Sequence, residues 1–193
     1  MKSHVTNVSS DIDAELNKDK TIKKIAIVGP ESTGKSTISE QLAAHYHTIY
    51  VPEFARDYCA ALTEPCNWQD EINMFYGQLQ LEKELLPKAN KLLICDTTFL
   101  TVKIWSDHTF GKTPDEVLEM LPLHTYDFYL LMDINLPWQD DPLRDFPHMR
   151  EHFLNVWHQE LKLLNADYQV ISGSNKQRLH NAISAIDCFL LAV

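Results

Sequence analysis

The chain has 193 residues, with 17 lysines and arginines against 27 aspartates and glutamates, a formal net charge of -10. This length suits one α/β domain with a sizeable core, and an apolar share of 45 % is ordinary for a globular protein. The acidic balance argues against non-specific nucleic-acid binding, and the lack of any run near about eighteen apolar residues argues against a membrane span.

Residues 1–20 are polar and mixed in charge, with no apolar stretch of export-signal length, and read as a tail ahead of a domain at 21–193. Residues 25–28 read as a buried strand. The run Gly29-Pro30-Glu31-Ser32-Thr33-Gly34-Lys35-Ser36-Thr37 follows at once and fits G-x-x-x-x-G-K-[ST] in full. Residues 38–44 then read as a helix. Strand, glycine turn and helix N-terminus together form an anion cradle, whose backbone N–H groups face phosphate oxygens. Lys35 can reach the terminal phosphates of a nucleoside triphosphate, and the Ser36 hydroxyl can take a Mg²⁺ position.

A second strand is expected at 48–51, stopped by Pro52, and a helix over 53–62. Asn67 is expected to cap a long helix ending near Pro87, with an apolar face of Ile72, Phe75, Tyr76, Leu79 and Leu86. Residues 91–96 read as a buried strand ending in Asp96, and 99–105 as a helix. Thr113 is expected to cap another helix with Pro114 in its first turn. A strand over 126–133 leads into a polar, proline-bearing stretch at 137–150 that reads as a lid. A helix to about 164, a last strand at 168–171 and a closing helix over 177–191 complete the chain. Trp68, Trp105 and Trp157 fall on helical apolar faces and are expected in the core.

Nearly uniform strand–helix alternation predicts an α/β, three-layer fold: a five-stranded parallel sheet with helices on both faces. Ligands of such sheets bind beyond the carboxyl ends of the strands. Gly29, Glu53, Asp96, Asp133 and Gly173 all lie there. The expected triphosphate cradle is Gly29, Glu31, Ser32, Thr33, Gly34, Lys35, Ser36 and Thr37. Asp96 reads as the acid that orients Mg²⁺ opposite Ser36, with helix capping as the alternative. Glu53 reads as the carboxylate that orients an acceptor hydroxyl, with a first-turn pairing to Arg56 as the alternative. Arg56, Arg144 and Arg150 compete to stabilise charge on a transferred phosphoryl group. Gly173 and Arg178 are candidates for enclosing the adenine of ATP. Cys59, Cys66, Cys95 and Cys188 have no C-x-x-C spacing and read as reduced thiols of a cytoplasmic protein. The histidines have no ligand spacing.

These motifs, with Val51-Pro52-Glu53-Phe54-Ala55-Arg56-Asp57-Tyr58, the strand into Asp96-Thr97-Thr98, and Pro137-Trp138-Gln139-Asp140-Asp141-Pro142-Leu143-Arg144-Asp145, stand in the order seen in NadR-like ribosylnicotinamide kinases. The chain resembles that family from about residue 23 onward. The resemblance implies a stand-alone P-loop kinase domain without the DNA-binding and adenylyltransferase domains of longer relatives. It implies transfer of the ATP γ-phosphate to the 5′-hydroxyl of nicotinamide riboside, giving nicotinamide mononucleotide. Pro142 departs from the family pattern, which has glycine after the paired aspartates. A pyridinium nucleoside suits aromatic rings and carboxylates. Phe54, Tyr58 and Trp138 are candidate rings; Asp57, Asp133, Asp140 and Asp141 are candidate charges or ribose ligands. Two alternatives stay open: a kinase for another nucleoside or small metabolite, and a nucleotide-dependent regulatory ATPase. Oligomeric state is not legible.

Overall fold

The computed structural model describes residues 22–123 and 126–192; the expected tail at 1–20 lies outside them. Five parallel strands, β1 (Lys23–Val28), β2 (Ile49–Val51), β3 (Leu92–Asp96), β4 (Phe128–Met132) and β5 (Tyr168–Ile171), form one sheet in the order β2-β3-β1-β4-β5. The helices are α1 (Lys35–His45), α2 (Phe54–Ala60), α3 (Trp68–Leu85), α4 (Leu100–Phe110), α5 (Asp115–Met120), α6 (Arg150–Leu163) and α7 (Asn175–Ala192), with a 3₁₀ turn at Leu86–Lys88. The predicted three-layer α/β architecture is the observed one.

The strands alternate their side chains between two cores, which is why they read as continuous apolar runs. Ala26, Val28, Leu93, Cys95 and Leu131 face Phe75 of α3, Leu100 of α4, and Phe153, Trp157 and Leu161 of α6. Ile25, Ile27, Ile94 and Leu130 face Ile38 and Leu42 of α1 and Ala182 and Ile186 of α7. Every residue of β3 and β4 is buried.

Three local expectations need correction. Tyr76 is 53 % exposed. The buried face of α3 is instead Asp70, Glu71, Met74, Phe75, Gln78 and Glu82, a stripe at helical spacing whose polar members face the cleft described below or internal hydrogen bonds. Thr113 does not cap α5: its hydroxyl donates to Asp107 at 2.6 Å, and Pro114 occupies the cap position. Arg150 belongs to the first turn of α6 and not to the preceding loop. By contrast, Asn67 caps α3 as expected. Its side chain accepts from Gln69 and Asp70 N–H groups, and the Asp70 carboxylate accepts from the Asn67 N–H in return. Among the described residues no helix is long and apolar enough to cross a membrane, and the four cysteines are free.

Candidate active site

β1 is central, so its loop opens between the carboxyl ends of β3 and β4. The turn needs glycine at its first position. Gly29 has φ +136°, and a Cβ there would stand 2.9 Å from the Met132 carbonyl oxygen. The Thr33 hydroxyl closes the loop on the Pro30 carbonyl at 2.8 Å. The Lys35 ammonium donates to the carbonyls of Gly29 (3.1 Å) and Pro30 (2.9 Å), so it crosses the mouth of the cradle. All nine residues of the motif line a cleft of about 950 Å³.

Asp96, at the end of β3, is 2 % exposed, and its Oδ1 atom has no hydrogen-bond partner among the described residues. Burial pushes its carboxyl up to about 6, with the Ser36 hydroxyl pulling down and Glu53 pushing further up. Asp96 does not cap α4, whose cap position is Phe99; the Thr98 hydroxyl serves that turn by accepting from the Leu100 N–H at 3.2 Å. The next residue, Thr97, has φ 70°. Left-handed backbone is costly for a β-branched side chain, and such strain clusters at functional sites. Among the described residues no group of three or more His, Cys, Asp or Glu forms a metal cage. A hydroxyl plus one carboxylate with a free buried oxygen nevertheless fits Mg²⁺, which is held by one or two carboxylates plus water and phosphate oxygens.

Glu53 sits at the N-terminus of α2 and lines the cleft. Its position is set from α3. The Gln78 side chain accepts from the Phe54 N–H at 2.9 Å and donates to the Pro52 carbonyl at 3.4 Å, clamping the turn on both sides of Glu53. Gly77 makes room for this. A Cβ at Gly77 would overlap the Phe54 ring, so a glycine in mid-helix, a costly choice there, is required by the close approach of α2.

The segment after β4 is tied to the phosphate loop. The Ser32 hydroxyl accepts from the Gln139 N–H at 2.8 Å, and Glu31 accepts from the Phe146 N–H at 3.4 Å. Arg150 donates to the carbonyls of Ser32 (3.1 Å) and Leu136 (2.8 Å), and its buried Nε has no partner among the described residues. Arg56 pairs with Asp141 at 2.5 Å, which holds that carboxyl below its ordinary value. Arg144 donates to the Gln139 carbonyl at 2.6 Å. Arg56 and Arg144 line the cleft; so do Ser174, Asn175 and Lys176 after β5.

Arg178 is 1 % exposed and faces inward. Its guanidinium donates to the carbonyls of Gly173 (2.8 Å), Thr33 (2.5 Å) and Asp133 (2.9 Å) and to the Asn135 side chain. Four of its five N–H donors are therefore committed to protein oxygens. The sequence-based expectation of an adenine contact is corrected to that extent: the residue ties the phosphate loop to β4 and α7.

Several expected acceptor ligands do not line the cleft. Tyr58 donates to Asp70 and accepts from Asn73, both at 2.8 Å. Asp133 accepts from the Ile134 N–H at 2.7 Å, and Asp140 accepts from the Trp138 indole at 2.8 Å. Asp141 is spent on Arg56. Gly173 turns the chain after β5 with φ +97°. Each carboxylate is short and near a local donor, so the loop satisfies itself. The far end of the cleft is built instead by α2, α3 and α4: Cys59, Cys66, Glu71, Met74, Val102 and Trp105. Trp157 lies in the core as expected, 3 % exposed, and borders this cleft; Trp68 and Trp105, also expected in the core, are only half-buried, Trp105 on this wall and stacked on Phe146 at 5.5 Å. Polar residues on the buried stripe of α3 were the sequence signal for this wall.

The sequence matches the AAA domain family over residues 24–178. It is 28 % identical over 153 residues to the trifunctional NAD biosynthesis/regulator protein NadR of Salmonella typhimurium, covering 76 % of this chain and 37 % of that protein. The chain thus spans under two-fifths of that curated relative. The fold also resembles NadR protein in complex with NR (TM-score 0.73, 19 % identity, 91 % of this chain and 52 % of that one) and in complex with NAD and AMP-PNP (TM-score 0.72, 19 % identity, 91 % and 51 %). It resembles deoxyadenosine kinase from M. mycoides as well (TM-score 0.57, 15 % identity, 86 % and 99 %), which places the architecture among P-loop kinase folds. With a complete phosphate-binding loop, a strand-end acid beside it and a match over most of its length, the chain belongs to the AAA domain family of P-loop proteins, as a NadR-like domain.

Proposed function

We propose that the protein is an ATP-dependent kinase that phosphorylates the 5′-hydroxyl of nicotinamide riboside to nicotinamide mononucleotide. The observation that carries this reading is one continuous cleft lined by the phosphate loop with Ser36, by Glu53 and by an acidic, aromatic wall, with the buried Asp96 carboxyl acted on by both Ser36 and Glu53. The similarity to NadR, with NR in one solved complex and AMP-PNP in another, supports the choice of acceptor and donor.

Phosphoryl transfer asks the protein for position and for charge stabilisation, not for covalent chemistry. Backbone N–H groups of residues 29–37, Pro30 excepted, receive the β- and γ-phosphates. Lys35 exchanges its bonds to Gly29 and Pro30 for phosphate oxygens, which it can do by rotating a flexible stem. Ser36 and Asp96 would hold Mg²⁺, which would neutralise phosphate charge. Glu53, fixed by Gln78, orients the 5′-hydroxyl and takes its proton as the new O–P bond forms and the bond from the γ-phosphorus to the β–γ bridging oxygen breaks, so that ADP leaves. Arg56, Arg144 and Arg150 border the path of the transferred group, and the tethered segment at 137–150 excludes water.

The test is ATP-dependent formation of the mononucleotide from nicotinamide riboside, read by mass spectrometry beside a panel of other nucleosides. Lys35→Ala is expected to lower turnover about 100-fold or more with an unchanged melting temperature. Near wild-type turnover in that variant, or hydrolysis that no nucleoside stimulates, refutes the reading.

A further inference from the structure

The far end of the cleft carries an acidic group that no cation among the described residues balances. Glu71, on the buried face of α3, is 5 % exposed and lines the cleft. Its Oε1 atom lies 3.8 Å from the Cys66 sulfur, and its Oε2 atom has no hydrogen-bond partner among the described residues. The groups that act on it are Ser106 of α4, Cys66 ahead of α3, and Asp70 on its own helix. None is cationic, and among the described residues no lysine or arginine stands within ion-pair distance. Met74, Val102 and the Trp105 ring make the rest of that wall apolar and aromatic.

Carboxyl groups buried this deeply are normally paired or hydrogen-bonded, because the charged form is poorly solvated there. A partner can arrive through the cleft. Of the four carboxylates expected from the sequence to serve a cationic acceptor, Asp141, Asp140 and Asp133 are spent on Arg56, Trp138 and the Ile134 N–H, and Asp57 is exposed and does not line the cleft; Glu71 lines it with one oxygen unpartnered among the described residues. Cys59 lines the same cleft as Glu53 and Glu71 and feels the charge of both. A nucleoside with its 5′-hydroxyl at Glu53 therefore has the Glu71 wall available to its base within one cleft.

We infer that Glu71 is the acceptor-specificity residue of this site: its carboxylate is the counter-charge for a planar, cationic base of the pyridinium class. The inference rests on reading the cleft as a nucleoside kinase site. The Trp105 face adds a second attraction for a delocalised cation. Burial lifts the Glu71 carboxyl to about 7, against the pull of Ser106 and Cys66; an adjacent cation draws it back down. A neutral base offers no such return and leaves the carboxyl to be buried either protonated or uncompensated.

The probe pair is 1-methylnicotinamide, a pyridinium cation, and nicotinamide, its neutral near-isostere, titrated into the full chain by calorimetry. The wild-type protein is expected to prefer the cation about tenfold or more, and Glu71→Gln to erase that preference without lowering the melting temperature. No preference in the wild-type protein, or a preference kept by Glu71→Gln, overturns the inference; the wild-type comparison needs no variant to fold. In turnover assays Glu71→Gln should raise KM for a pyridinium nucleoside about tenfold while KM for a neutral nucleoside stays put. An equal change for both acceptors overturns the role of Glu71 with the kinase reading intact. A cation preference in a protein that phosphorylates no nucleoside refutes the kinase reading, and with it the acceptor role, while leaving Glu71 as the counter-charge for a planar cation.

Discussion

Arg178→Met removes a buried charge and its four hydrogen bonds while keeping most of the apolar stem. The structure gives the size of the effect. The carbonyl oxygens of Gly173, Thr33 and Asp133 and the Asn135 side-chain oxygen each lose a guanidinium donor. The Thr33 carbonyl bond is buried, those to Gly173 and Asp133 are part-buried and Asn135 is exposed; at about 1 kcal/mol or more for an unsatisfied buried acceptor and less for one that water reaches, the loss is about 2–3 kcal/mol. For a domain of this size that corresponds to a melting temperature lower by roughly 5–10 °C. Arg178→Lys keeps the charge but offers a compact ammonium in place of a planar fork, so it should fall between the two. Thermal unfolding by circular dichroism reads the stability, and a fluorescent ATP analogue reads the phosphate loop, whose Thr33 carbonyl loses its anchor. A variant that melts within about 2 °C of wild type yet binds nucleotide weakly would refute the reasoning. It would show that the guanidinium serves the ligand and that the carbonyls are content without it.

Two further outcomes test the site. A carboxyl raised from 3.8 to about 6 by burial holds its proton more tightly folded than unfolded. Ionising Asp96 therefore opposes folding: its destabilising effect is absent below the ordinary value and complete above about 6. Without divalent cations, Asp96→Asn should be more stable than wild type at pH 7.5 by up to about 3 kcal/mol, with the gap closing toward pH 4 and turnover lost throughout; an equal or lower melting temperature at pH 7.5 is the contrary result. Gly77→Ala should push Phe54 aside and with it the turn that holds Glu53. We expect a loss of about 1–3 kcal/mol and a fall in kcat larger than any change in KM for ATP. A second change, Phe54→Leu, should restore part of both, and unchanged kcat in Gly77→Ala would break the link between α3 and Glu53.

Much of the site could be read before any coordinates. The nine-residue phosphate motif announces its loop because few backbones can turn that tightly and present that many N–H groups. Asp96 and Glu53 were placed correctly at strand ends because parallel α/β sheets bind ligands there. Pairing choices were not readable. Asp133, Asp140 and Asp141 have the right charge for an acceptor, but the first two are taken by local donors, the Ile134 N–H and the Trp138 indole, and Asp141 is taken by Arg56 because the loop after β4 folds back toward α2. Arg178 lies after a Gly-Ser turn and reads as a residue enclosing adenine, yet α7 docks so that its guanidinium is committed to protein oxygens.

The five-stranded parallel sheet and the phosphate loop at its centre follow from local causes: alternation of apolar strands with amphipathic helices, glycines where the backbone must turn left-handed or pass close to a neighbour, and a helix start that exposes N–H groups. Those are set within a few residues of each other, so they can be read along the chain. Which carboxylates stay free, and that Glu71 and Trp105 share one wall with Glu53, depend on the packing of α2, α3 and α4 over one face of the sheet. That packing joins side chains distant in sequence, and the identity of a buried charge's partner is a property of the assembled interior alone.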